Sequence, residues 1–444
     1  MADPEHFTNP FWAPEPDGIL SGHVPYSSIE MTIGGLGTIA VRSKTTGTLE
    51  FIVRSAGPDL PTLKLTVTAK SCVLQMKDAD SKPFRDIPVI QYPTEPSTSE
   101  GPKKLPYVYY PKQPASAYLN VQSKKDPTVY WISVDRSNKR FRYGQHLTNA
   151  SLTYLEAHFD GDNPSKQWMD QLKSTEIQQD GREIPTQDVR YDPLPVTMDK
   201  PPLVVSDEQV SLDDLDKYTR TTYANLPRGC QDLYHNVAGH NVSLESASFP
   251  QLAQAIDYSC RDPNLVCGKI LEEKKKRDEF HDKLKTYLRI TVGNNLANSP
   301  GIPYVMEIWP PGHSSPIHDH GKASAVIKVL YGSIDCAWYD AVQEGRQPQQ
   351  VGKTTKLSKG DVTWLGDKQF QIHKLQNNYK TVCITLQCYQ FEQSDKEHYE
   401  YFDYLDNTLH KDRFVPDSDC SYSKLKQPPQ VVVEVDGAIL YAPI

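Results

Sequence analysis

No run of about 18 consecutive apolar residues occurs in this 444-residue chain, so nothing in it reads as a membrane-spanning helix. Positive charge is in deficit: 48 Lys and Arg against 56 Asp and Glu leave a net charge of −8. Nucleic-acid binding normally needs a basic face that neutralises phosphates, so this balance argues against it. The one basic cluster, Lys274-Lys275-Lys276-Arg277, sits among Glu272, Glu273, Asp278 and Glu279 in a predicted helix and reads as a solvated face. Cysteines stand at positions 72, 230, 260, 267, 336, 383, 388 and 420, with no CxxC pair and no dense framework. That scatter fits reduced thiols in a cytoplasmic protein. The opening residues, Met1-Ala2-Asp3-Pro4-Glu5-His6, lack a basic region followed by an apolar one, so no secretory signal is read there. The sequons Asn149-Ala150-Ser151 and Asn241-Val242-Ser243 accordingly read as chance matches.

Proline and tyrosine are plentiful. The 35 prolines make up roughly 8% of the chain against a usual ~5%, which favours turns and extended connections over a helical bundle. From about 20 to 160 the pattern is strand and turn, as in Thr38–Val41, Thr48–Val53, Leu63–Val67 and Val129–Val134. Apolar and polar residues alternate there with β-branched and aromatic enrichment, predicting an antiparallel β-sandwich over residues 1–160. Its Pro-rich stretch from Tyr92 to Pro114 is expected as an exposed loop. Residues 161–205 are polar and punctuated by prolines (Asn163-Pro164, Ile184-Pro185, Asp192-Pro193) and read as a linker. Ser211-Leu212-Asp213-Asp214 resembles a helix-capping box, and further helices are predicted over Phe249–Tyr258 and Leu265–Leu284. From Tyr287 the pattern reverts to strands through Tyr389, with a last strand at Val431–Val435. The fold class is therefore mainly β, with helices preceding the C-terminal β region of a domain spanning 206–444.

Gly312-His313-Ser314-Ser315-Pro316-Ile317-His318-Asp319-His320 is the informative segment. Residues two apart on a strand share a face, so His318 and His320 project together while Asp319 points away. His313 lies an odd number of residues from His318 and is left out of the set. A His-x-His pair alone often does no more than satisfy hydrogen bonds. Here a further imidazole, His373, follows Gly360-Asp361-Val362, with Asn377 four residues later. Three neutral imidazoles without a carboxylate suit zinc, iron, copper or nickel better than magnesium or calcium. A three-ligand site also leaves coordination positions open, as catalysis requires.

These residues resemble the two cupin motifs: Gly312, His318, His320 and Gly332 keep the spacing of the first, and Gly360, His373 and Asn377 follow the second more loosely. The resemblance implies a jelly-roll-like β-barrel. Most cupins carry a metal-binding Glu where this chain has Ala325. The wording from Trp309 to His320 closely resembles the type I cysteine dioxygenases, which use three histidines to hold iron(II). Tyr287-Leu288-Arg289 resembles that family's Tyr-x-Arg, whose Arg binds the substrate carboxylate, and Thr385–Tyr389 resembles the strand carrying its active-site Tyr. The likeness spans roughly residues 210–391.

The resemblance implies an Fe(II) centre on His318, His320 and His373, Arg289 as carboxylate binder, and Tyr287 and Tyr389 as hydrogen-bond donors. Its reaction joins L-cysteine and dioxygen into cysteine sulfinate, a step of cysteine catabolism. Two departures matter. Animal members crosslink a Cys at the position of Ala325 to the Tyr matching Tyr389, so no thioether is expected here. A second-shell His of the family is replaced by Gln387. Arg289→Ala is expected mainly to raise the Michaelis constant. Alternatives stay open: another small thiol or a protein's N-terminal cysteine as substrate, a hydrolase or lyase using zinc or another metal, or a non-catalytic metal-binding scaffold whose sandwich binds a ligand.

Overall fold

The computed structural model describes residues 28–90, 106–120, 127–159, 164–184, 188–206, 209–217, 219–247, 249–277, 280, 282–293, 304–391, 401–415, 417–426, 431–435 and 438–442. The chain divides into two compact units, Met1–Asp199 and Lys200–Ile444.

The first unit is built on two antiparallel sheets. One runs in the order Ser28–Glu30, Leu172–Gln179, Thr48–Ser55, Thr62–Thr68, Cys72–Lys77, Arg85–Asp86, and the other Val189–Asp192, Leu36–Ser43, Thr128–Asp135, Arg140–Gln145, Thr153–His158, Tyr107–Tyr109. Alternation places Leu49, Phe51, Val53, Leu63, Leu65 and Val67 on one inner face, where each is fully buried. They meet Ile39, Val41, Ile132, Val134, Phe141 and Leu155 of the other sheet in a single core.

The stretch expected as a linker is folded instead. Leu172–Gln179 lies between two strands of the first sheet, and Val189–Asp192 pairs with Leu36–Ser43. Only Leu172, Thr175 and Ile177 of the former point inward, so its apolar alternation is faint. Glu176 on its outer side pairs with Arg54 at 2.8 Å, which a polar composition conceals. Within the expected Tyr92–Pro114 loop, Tyr107–Tyr109 is a strand, residues 110–114 are described without strand, and residues up to 105 lie outside the described set.

The second unit holds two larger sheets. The first has the order Thr221–Thr222, Leu203–Val205, Val362–Leu365, Ser324–Tyr331, Cys383–Gln390, Tyr304–Trp309, Leu288–Thr291, Cys420–Ser421. The second runs Gln350–Ser358, Ser333–Tyr339, His373–Gln376, Ile317–His318, Phe402–Leu405, Lys411–Phe414. Among the described residues they are two sheets, mostly antiparallel, and not one continuously hydrogen-bonded barrel. Helices cover the outer face of the first sheet. Arg228–Val237 packs Cys230, Leu233 and Val237 inward; Leu252–Arg261 and Val266–Arg277 share a core with Leu288, Ile290, Met306, Ile308 and Ile384.

Some boundaries differ from expectation. The capping box is real, with the Asp214 amide donating to Ser211 Oγ at 3.1 Å and the Ser211 amide to Asp214 Oδ2 at 3.2 Å. Val266–Arg277 ends before the predicted Leu284, and Lys285 closes a turn on Asp282 instead. The basic run is not wholly solvated: Lys274 turns toward Asp419, at 2.8 Å, and lies 5.4 Å from the Tyr287 ring centre. Asp278 and Glu279 of that face lie outside the described residues. Val431–Val435 is a strand, but Ala438–Ala442 follows it and pairs with it.

Candidate metal centre

The two histidines of the His-x-His segment sit where the short strand Ile317–His318 joins His373–Gln376, with His318 and His373 direct cross-strand partners. Their ring centres are 4.9 Å apart, and His320 lies 4.8 Å from His318 and 4.6 Å from His373. One nitrogen from each of the three rings falls within 4.8 Å of the others, and all three residues are buried.

Backbone carbonyls orient two of these rings. His318 Nδ1–H donates to the Pro316 carbonyl at 3.1 Å, and His320 Nδ1–H to that of Gln371 at 2.8 Å. Each bond fixes the tautomer that leaves Nε2 as a lone-pair donor. Burial, aided by Arg289, pushes the His318 imidazolium down to about 4 despite the carbonyl bond. Burial likewise drives His320 and His373 well below the ordinary imidazole range, with neighbouring rings adding to it. A neutral, converging, buried trio of nitrogens fits a borderline transition-metal ion and not a hard, oxygen-seeking one.

Asn377 proves to be a clamp. Its side-chain amide donates to the Trp309 and Thr381 carbonyls at 2.7 and 2.9 Å, and its backbone carbonyl accepts from Gly312 at 2.8 Å. This ties the turn ahead of the His pair to the strand that carries His373. Gly312 itself has φ +81°, a conformation that costs a glycine little. His313, set aside as a ligand, binds the Thr286 carbonyl through Nδ1 at 2.5 Å and so anchors the residue before Tyr287.

A narrow pocket, partly open to solvent, lies beside the histidines between the two sheets. Tyr287, Arg289 and Tyr389 all line it together with the three histidines. The Tyr389 ring stacks 6.2 Å from that of His320 and 5.9 Å from the Arg289 guanidinium carbon. Burial, together with the Glu307 charge, pushes the Tyr389 phenol up, so it stays protonated and able to donate. Tyr287 stacks on Trp309 at 4.1 Å. Ala325 stands directly opposite Tyr389 in the strand register and turns only a methyl toward that neighbourhood.

Sequence reasoning missed Glu307. It is the cross-strand partner of Arg289, and its Oε1 lies 2.6 Å from Arg289 Nη1, with both residues almost inaccessible to water. Burial pushes the Glu307 carboxyl up, while Arg289 and Gln387 favour its anion. The available signal was a single carboxylate in the otherwise apolar strand Tyr304–Trp309, two residues from Trp309 and hence on its face. Phe402 and Phe414 were also missed. They come from the tail and close over the histidines, with Phe402 5.1 Å from His320 and Phe414 6.1 Å from His318.

Among the described residues, no helix is long and apolar enough to cross a membrane. Solved structures similar to part of this chain include oxalate oxidase in complex with the substrate analogue glycolate (14% identity, 24% of this chain and 51% of that chain, TM-score 0.19). The Schizosaccharomyces pombe Cnp3 cupin domain matches at 12% identity over 24% of this chain and 66% of its own, TM-score 0.19. The cupin domain of an XRE-family transcriptional regulator from Enterobacter cloacae matches at 10% identity over 24% of this chain and 98% of its own, TM-score 0.19. The chain thus spans about half the length of the oxalate oxidase chain it matches. Residues 272–399, which contain all three histidines, match the family model described as cysteine dioxygenase type I. That segment of the second unit is thus similar to the cysteine dioxygenase type I family, and the chain carries a separate N-terminal β-sandwich unit besides it.

Proposed function

We propose that the second unit is an iron(II)-dependent thiol dioxygenase that converts a small thiol, with L-cysteine the first to be tried, and dioxygen into the corresponding sulfinic acid. The observation that carries this reading is the trio of buried, neutral imidazoles at one wall of a pocket whose other wall bears Arg289, Tyr287 and Tyr389. His318, His320 and His373 would hold the metal through the nitrogens left free of backbone carbonyls. Iron(II), when bound, would supply a Lewis acid that favours the thiolate and a redox centre for oxygen chemistry. No carboxylate belongs to the ligand set, so an anionic sulfur is the natural source of compensating charge.

The remaining side chains bind, orient and exclude water. Phe402, Phe414, Leu375 and Trp309 form the apolar part of the lining, which strengthens every polar contact made inside it. Tyr389 keeps its proton and can donate it in a hydrogen bond to an oxygen near His320. The stoichiometry is one thiol and one dioxygen giving one sulfinic acid, RSH + O2 → RSO2H, with no further reductant. Iron-loaded protein should consume dioxygen in equal amount to thiol and yield a product heavier by two oxygen atoms on mass spectrometry. Oxygen uptake absent with cysteine and every other small thiol would refute the reading. Full iron content in His373→Ala would remove that residue from the ligand set.

A further inference from the structure

Among the described residues lining the pocket, Arg289 is the one cation. Its strand, Leu288–Thr291, lies near the edge of its sheet, with only the two-residue strand Cys420–Ser421 beyond it among the described residues. Asp419, just ahead of that short strand, takes both main-chain groups of Arg289. The Arg289 amide donates to Asp419 Oδ2 at 2.7 Å, and the Arg289 carbonyl accepts from the Asp419 amide at 2.7 Å. The same Oδ2 meets Lys274 Nζ at 2.8 Å, in an ion pair whose side chains are 10% and 17% exposed. Lys274 Nζ in turn lies 5.4 Å from the ring centre of Tyr287, which stacks on Trp309. One carboxylate thus braces two pocket residues from outside, for neither Asp419 nor Lys274 is among the residues that line the pocket.

The charges say what Arg289 is braced for. A divalent metal on three neutral histidines, the guanidinium and the Glu307 carboxylate sum to +2. A thiolate and one carboxylate bring −2, so a ligand bearing both leaves the closed site neutral. We propose that Asp419, with Lys274, is a positioning residue for substrate binding: it fixes the Leu288–Thr291 strand so that the Arg289 guanidinium meets a carboxylate on the thiol. This rests on the thiol-oxygenation reading above and deepens it. Asp419 touches neither metal nor substrate and acts through Arg289 and Tyr287. A misplacement of about 1 Å at such a contact can cost on the order of 100-fold. Asp419 lies beyond residue 399, so this support comes from chain outside the family match.

The test is an anaerobic titration of the cobalt(II)-loaded full chain with L-cysteine and with cysteamine, which lacks the carboxylate, followed by the thiolate-to-cobalt absorption band. In Asp419→Ala the dissociation constant for L-cysteine is expected to rise about tenfold, and that for cysteamine to stay within about twofold. Asp419→Asn keeps an acceptor for the Arg289 amide but loses the ion pair, and Lys274→Met loses it from the other side. Each is expected to weaken L-cysteine only about threefold, again without weakening cysteamine. A general loosening of the fold would weaken both thiols alike. Equal weakening of the two thiols, or unchanged L-cysteine binding, overturns the inference and leaves thiol oxygenation standing. A band absent with both thiols in the wild-type protein overturns that reading as well. If Asp419→Ala does not fold, the two milder variants decide the matter.

Discussion

Arg289 and Glu307 hold each other in an environment that tolerates neither alone. Removing the guanidinium leaves a carboxylate with almost no access to water, a change that typically costs about 3–5 kcal/mol. Arg289→Ala is therefore expected to lose stability of that order in urea denaturation, as well as altering the Michaelis constant. The double variant Arg289→Leu/Glu307→Leu should recover most of the loss, because a buried pair is often replaceable by apolar side chains. A single variant as stable as the wild type would mean that Glu307 is already neutral or solvated. The histidines make a second residue-scale prediction. In the folded chain His318 protonates at about 4 instead of 6.5, so between those values the unfolded chain binds a proton that the folded chain does not. Stability thus rises with pH through this window and is lost as pH falls through it, by ~3 kcal/mol from His318 alone, with His320 and His373 acting in the same direction. The urea midpoint of metal-free protein should drop steeply from pH 7 to pH 5. A flat midpoint would contradict the burial of these rings.

At the scale of elements, the closeness of His318 and His320 was legible because its signal is local. Gly312, the His-x-His pair and Gly332 lie within one stretch of chain, and strand alternation alone puts His318 and His320 on one face. Glu307 was not legible as a site residue because its meaning depends on which strand lies beside its own. Only the Leu288–Thr291 register brings Arg289 opposite it. The hairpin of Phe402–Leu405 and Lys411–Phe414 was hidden for the same reason. Its sequence reads as an acidic, tyrosine-rich tail, yet it pairs with Ile317–His318 and places Tyr404 opposite His318. Both Phe402 and Phe414 lie beyond residue 399, where the family match ends, so this part of the pocket wall is built by chain outside that match. Phe402→Ala should cost about 3–5 kcal/mol as a buried aromatic truncation. It should also admit water to His320 and speed the loss of bound metal to a chelator. Unchanged release kinetics in a folded variant would show that the hairpin does not seal the centre.

At the scale of the whole molecule, the two-unit plan and mainly β class followed from composition and alternation, but the boundary did not. Proline-punctuated polar sequence looks the same whether it is a linker or a set of strands with solvated outer faces. The expected domain start at 206 omits Leu203–Val205, whose strand pairs with Val362–Leu365 in the larger sheet of the second unit. It also omits the carbonyls of Pro201 and Pro202, which accept from Trp364 Nε1 at 2.9 Å and Thr363 Oγ1 at 2.7 Å. Trp364 is 1% exposed, so its indole N–H would be left buried without that partner, at about 1–3 kcal/mol. Loss of the paired strand adds to this by uncovering one side of Val362–Leu365. A fragment beginning at Lys200 is therefore expected to melt cooperatively, whereas one beginning at Ser206 should melt several degrees lower. Circular dichroism melting compares them directly. Equal melting points would mean that the strand at 203–205 contributes nothing to the sheet that carries Tyr389 and Glu307.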